Sequence, residues 1–121
     1  MGKLIHEEVT YAIRGMLIEV YNALGPGFRE ETYKTALMVE ARRRGLSLAR
    51  EVPIDVRYAG QIVDSYRLDL VVENKVVLEL KAVDELHPRF KAQLLSYLKA
   101  SGLRVGLLVN FGSKRLQVVR V

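Results

Sequence analysis

No cysteine occurs among the 121 residues. Disulfides, thiolate zinc sites and a cysteine nucleophile are therefore excluded, and a reducing compartment fits. No stretch approaches the ~18 consecutive apolar residues of a membrane span, and Glu7 and Glu8 interrupt the opening "MGKLIHEEV" where a signal peptide needs an unbroken apolar core. The expectation is a cytoplasmic protein with no membrane partner. The chain also lacks a Gly-rich loop able to cradle phosphate, a repeat, a linker and any low-complexity segment. Its positive charge is not run together as a tail: Arg42, Arg43, Arg44, Arg50, Arg89, Lys91, Lys114, Arg115 and Arg120 are dispersed. What is present is 50% hydrophobic and 27% charged, the balance of a globular domain and not of a disordered chain. The 19 Lys and Arg against 14 Asp and Glu leave +5, which favours a polyanionic partner such as nucleic acid. At this length residues 1–121 form one domain, and an extended substrate would call for a homodimer or a partner protein to complete the surface.

Apolar residues recur at steps of three and four from Leu4 to Leu24 (Ile5, Val9, Ile13, Met16, Leu17, Val20), which predicts a long helix with one buried face. "GPG" at 25–27 stops it. A second helix is expected from Glu30 to Arg44, with Tyr33, Leu37 and Ala41 on one stripe and Gly45 ending it. Segments 47–58 and 61–73 read as strands around Ala59-Gly60, and 75–83 as a third strand. Pro88 opens a helix running to Ala100; "LRVGLLVNF" then reads as a buried strand and "KRLQVVRV" as an edge strand. The order ααβββαββ implies an α/β fold, a mixed central sheet flanked by helices.

The second and third strands fix each other's register. Leu68, Leu70 and Val72 make one apolar face, and Val76, Leu78, Leu80 and Ala82 the other strand's matching face. Placing both on one side sets Leu70 opposite Leu78 around an odd-length turn centred on Asn74, because a one-residue slip would move a whole apolar set to the wrong face. Asp69 then lies across from Glu79, with Cβ atoms ~4.5–5.5 Å apart, and Lys81 two residues along. Like charges so placed destabilise a sheet, and a hard divalent cation such as Mg²⁺ relieves them, whereas one flexible ammonium is a poor substitute. A solvated ion pair is the plainer explanation, but the flanking Val71, Val77 and Val83 argue against a wet face.

Three further polar residues stand out. On the last helix Gln93 interrupts the stripe of Phe90, Leu94 and Leu98, with Tyr97 one turn beyond, so both either bond locally or point over the sheet toward the carboxylates. Glu30 opens the second helix, where the helix dipole favours an acid, yet it also shares the inward stripe. His6 and His87 lack ligand spacing and read as surface residues.

"GFREETY" contains Gly27, Glu30 and Tyr33 in the spacing G-x-x-E-x-x-Y. With "RLDLVVENKVVLELKAV", "AQLLSYLKASGLRVGLLVNFG" and the basic terminal strand, the chain resembles, over nearly its whole length, the GxxExxY family of small bacterial and archaeal proteins grouped with the PD-(D/E)XK nuclease superfamily. The resemblance implies that Asp69 is the motif aspartate, Glu79 and Lys81 the E-x-K pair, and Glu30 an additional helical acid. Gln93 and Tyr97 match the Q-x-x-x-Y of the exonuclease-like branch. Tyr21 and Phe90 stand where histidine is frequent in the family. The implied activity is Mg²⁺- or Mn²⁺-dependent hydrolysis of phosphodiester bonds in DNA, with RNA the other candidate. Asp69, Glu79 and the Leu80 carbonyl would hold the ion, with Glu30 directly or through water. A non-catalytic nucleic-acid-binding or protein-assembly module that keeps the fold is the alternative.

Overall fold

The computed structural model describes residues 5–121. Its elements follow the expected order: α1 (Glu7–Leu24), α2 (Glu30–Arg44), β1 (Leu48–Tyr58), β2 (Gln61–Val72), β3 (Val76–Lys81), α3 (Pro88–Ser101), β4 (Val105–Asn110) and β5 (Gln117–Arg120). The first helix begins at Glu7, later than the expected Leu4, which lies outside the described residues. One five-stranded sheet runs β1-β2-β3-β4-β5. β1, β2 and β3 form an antiparallel meander, β3 and β4 are parallel, and β5 returns antiparallel to β4. A parallel neighbour requires a crossover, and α3 supplies it.

The sheet separates two cores. Ile13, Met16 and Leu17 of α1 and Tyr33 and Leu37 of α2 bury Leu70, Leu78, Leu80, Leu107 and Val109 on one face. Leu94 and Leu98 of α3 bury Val71, Val77 and Leu108 on the other. All six residues of β4 are buried, which accounts for a sequence of continuous apolar character in place of alternation. Gly106 lies against Leu94, leaving an added Cβ only 3.0 Å from that side chain, so α3 packs closely onto β4.

The β2–β3 register is the expected one, Leu70 opposite Leu78 and Val72 opposite Val76, around a turn in which Glu73 and Asn74 both take left-handed φ near 54°. One expectation fails. Leu68 does not share a face with Leu70; it joins Val71 and Val77 in the core under α3. β1 does the same, since Leu48 packs toward α1 and α2 while Val52 and Ile54 pack toward α3. The β1–β2 pairing passes from Arg50↔Leu70 to Val52↔Leu68 with no Glu51↔Asp69 pair between them, and Glu51 carries φ 55°. At that point both strands exchange faces, which strict alternation cannot anticipate.

Candidate active site

Past Leu70↔Leu78 the β2–β3 ladder stops, and the strands continue to hold each other through side chains. The Asp69 N–H donates to Glu79 Oε1 (3.1 Å), and the Leu80 N–H donates to Asp69 Oδ2 (2.8 Å). Each carboxylate therefore satisfies an amide that the diverging strands would leave unpaired. The two acids are adjacent, though not as the regular cross-strand pair expected, because the ladder ends at Leu70↔Leu78. The Lys81 carbonyl accepts the Phe111 N–H (2.9 Å), so Lys81 is turned toward β4. Leu80, one residue earlier, turns its N–H and by strand geometry its carbonyl toward β2 and the acids.

Burial sets the charge state here. Glu79 is 6% exposed. Burial first, and then the negative charge of Asp69, push its carboxyl up to about 8, against the opposing pull of the Asp69 N–H and of Lys81. Glu30 is also raised, mainly by burial and secondarily by Asp69, while Lys81 and Lys34 act in the other direction. Although its side chain is exposed at the start of α2, Glu30 therefore stands at the rim of the same centre. The Lys81 ammonium lies over the Phe90 ring, 4.4 Å from its centroid.

Two participants carry no sequence motif. Lys34, one residue past the motif tyrosine, is buried, and its ammonium lies 2.6 Å from Glu51 Oε1, 3.5 Å from Asp69 Oδ1 and 3.9 Å from Glu31 Oε2. Burial alone would lower its pKa, but the hydrogen bond to Glu51 and the charge of Asp69 outweigh it and hold the ammonium above its ordinary value. A protein cation thus already sits beside Asp69. The sequence signals for Lys34 were its spacings of four from Glu30 and three from Glu31, and Glu51 gave none.

In the G-x-x-E-x-x-Y segment the glycine and the tyrosine hold the loop that precedes Glu30. Gly27 adopts φ 114°, which a side chain would rarely tolerate. The Tyr33 hydroxyl donates to the Gly25 carbonyl (2.6 Å) and accepts from the Phe28 N–H (3.2 Å), while its ring stacks on Phe111 at 4.3 Å. Tyr33 therefore fastens the loop that delivers Glu30. At the other end of the site, the fully buried Asn110 side chain accepts from Val83 N–H (3.0 Å) and Gly112 N–H (2.9 Å) and donates to the Val83 carbonyl (2.9 Å) and Gln117 (2.8 Å). This clasp draws residues 82 and 83 out of the expected strand and fixes the chain just beyond Lys81.

Gln93 interrupts the apolar stripe of α3 at an exposed position. With Arg57, Val63, Asp64, Tyr66 and Tyr97 it lines a groove of about 760 Å³ between the β1–β2 hairpin and α3. Tyr97 links the groove to the acids: burial first and then the charges of Glu79, Tyr66 and Asp69 raise its phenol, and its ring lies 5.2 Å from that of Tyr66. His87 caps α3 by accepting the Arg89 N–H (3.0 Å), and Tyr21 donates to the Ser113 carbonyl (2.7 Å).

Among the described residues no three carboxylate or imidazole side chains converge closely enough to hold a metal. Two adjacent carboxylates with a backbone carbonyl nevertheless fit Mg²⁺, which commonly keeps several waters and takes one or two carboxylates.

Together these features define a small α/β domain with a D…E-x-K acid-lysine centre where two strands of a mixed sheet part. A sequence profile described as the PD-(D/E)XK nuclease superfamily matches residues 7–121, and the chain belongs to that superfamily. No curated protein sequence matches at a significant level. The crystal structure of SSO0001 shares the fold with a TM-score of 0.56 at 21% identity, over 75% of this chain and 48% of that one. The chain thus matches about half the length of that protein. None of the described helices is long and apolar enough to cross a membrane.

Proposed function

We propose that the chain is a divalent-metal-dependent phosphodiesterase of the GxxExxY type acting on DNA. The observation that carries this reading is the exchange of amide hydrogen bonds by Asp69 and Glu79, which fixes two carboxylates together at the parting of β2 and β3. Asp69, Glu79 and the Leu80 carbonyl would hold Mg²⁺ or Mn²⁺, with Glu30 acting through water. The bound ion would supply an acidified water and polarise the scissile phosphate. Lys81 would leave the Phe90 face to hold that water and offset charge developing on the phosphoryl oxygens. Tyr97 and Gln93 would orient the phosphate from the groove, and dispersed Arg and Lys would add salt-dependent backbone affinity.

A second reading, a non-catalytic binding module, is favoured by one observation: Lys34 already neutralises Asp69. A cleavage assay on single-stranded and duplex DNA, with RNA in parallel and with Mg²⁺ or Mn²⁺ present, decides between them. Asp69→Ala, Glu79→Ala and Lys81→Ala should each abolish cleavage while the circular dichroism spectrum is unchanged. Cleavage at wild-type rate by all three would mean a contaminant. DNA binding that persists in Asp69→Ala, with no turnover by wild type, would establish the module.

A further inference from the structure

Among the described residues Lys34 is the one buried lysine, with a side chain only 9% exposed. Its three carboxylate neighbours are unequal. Glu51 is nearest at 2.6 Å; Asp69 lies at 3.5 Å; Glu31, at 3.9 Å, is itself paired with Arg50. Glu51 owes its direction to the backbone, since it sits at φ 55° where β1 exchanges faces and so reaches the α2 side. Asp69 Oδ2 is committed to the Leu80 N–H, and Oδ1 is the atom nearest Lys34. An ion entering at Asp69 therefore meets an ammonium that burial protects from solvent screening.

We propose that Lys34 is a built-in competitor for the divalent ion at Asp69, and that Glu51 is the anchor that holds this ammonium back when an ion enters. Lys34 is thus a positioning residue. It offsets the charge of Asp69 in the metal-free chain and sets ion affinity low, so that loading depends on the extra oxygen ligands of a substrate phosphate. The inference rests on the reading of Asp69 and Glu79 as the ion site.

The test is titration of the full chain with Mn²⁺ alone, followed by the electron paramagnetic resonance signal of the free ion. It is run at two pH values so that proton competition can be subtracted. Lys34→Met keeps an apolar stem of similar reach without the charge and should bind Mn²⁺ at least about tenfold more tightly. Lys34→Arg should stay near wild type. Glu51→Gln frees Lys34 to settle on Asp69 and should bind several-fold more weakly. The double variant Lys34→Met/Glu51→Gln should behave like Lys34→Met. It also carries the test if the single variant does not fold, because it removes both charges. Unchanged or weaker binding without the lysine overturns the proposal, since a merely structural lysine would weaken binding when removed. A double variant as weak as Glu51→Gln overturns it as well, by making Glu51 a ligand. Failure of every variant and of wild type to bind Mn²⁺ in an Asp69-dependent way would instead remove the ion-site reading. Binding lost in Asp69→Ala but not tightened by Lys34→Met would remove only the role of Lys34.

Discussion

Replacing Glu79 by Gln tests the electrostatics of the centre without any assumption about substrate. In the fold this carboxyl is pushed from 4.5 to about 8, by burial first and by Asp69 second. Between those two pH values the folded chain holds a proton that the unfolded chain has released. Stability therefore falls as pH rises through the window: the favourable protonated state is fully present below 4.5 and lost above about 8. At roughly 1.4 kcal/mol per pH unit the full span amounts to on the order of 4–5 kcal/mol, a ceiling because Asp69 and Glu79 can share one proton. Glutamine keeps an oxygen to accept the Asp69 N–H but cannot ionise. Glu79→Gln should therefore gain on wild type steadily with pH and be the more stable protein in alkaline buffer. Glu30, also raised, contributes to both proteins and cancels in the difference. Urea denaturation in chelator, at several pH values from mildly acidic to alkaline, gives the difference directly. Parallel profiles for the two proteins across the window would refute the claim that burial holds Glu79 protonated.

Three other substitutions probe the frame around the centre. Asn110→Leu removes all four hydrogen bonds of the clasp and leaves the Val83 N–H and carbonyl without that partner, so urea unfolding should show a loss of about 3 kcal/mol or more; a loss under about 1 kcal/mol would mean the clasp is dispensable. Tyr33→Phe keeps the ring on Phe111 but releases the Gly25 carbonyl and Phe28 N–H, which should cost about 1–2 kcal/mol and speed amide exchange at Phe28, whereas unchanged exchange would deny Tyr33 its role in holding the loop. In Gly112→Ala the new Cβ would fall 2.3 Å from the Val83 nitrogen, so the chain beyond Lys81 must shift, and a thermal melt matching wild type would contradict that close approach.

The element order and the β2–β3 register were legible because both rest on period and polarity. The Leu70↔Leu78 pairing follows from keeping apolar sets together, and it brings Asp69 near Glu79 although the ladder ends before them. Gln93 misled for a related reason: helical spacing reports a stripe but not where the covered part of the stripe ends, and α3 buries Leu94 and Leu98 while leaving Gln93 at the groove. Lys34 and Asn110 were illegible because their partners are distant in sequence. Lys34 meets Glu51 and Asp69 at separations of 17 and 35 residues, and Asn110 meets Val83 at 27. No local pattern marks a lysine that will be buried by acids from two other elements.

The least legible feature, the exchange of faces at Glu51 and Asp69, is also the one on which the centre depends. In a regular hairpin Asp69 would point toward α3, the side opposite Leu70, and Lys34 on α2 would be out of its reach. Asp69 instead reaches both the Lys34 ammonium and the Leu80 N–H, which places its carboxylate at the edge of the sheet layer. A side chain can occupy that position only where the backbone ladder is missing, and the ladder is missing on both sides of Asp69: toward β1 at Glu51 and toward β3 beyond Leu78. The side-chain bonds offset the lost backbone pairs, so the gap is stable without being closed. Restoring regular pairing at Glu51 would return the acids to a flat sheet face and separate them from Lys34, leaving the E-x-K residues in place but without the geometry that couples them.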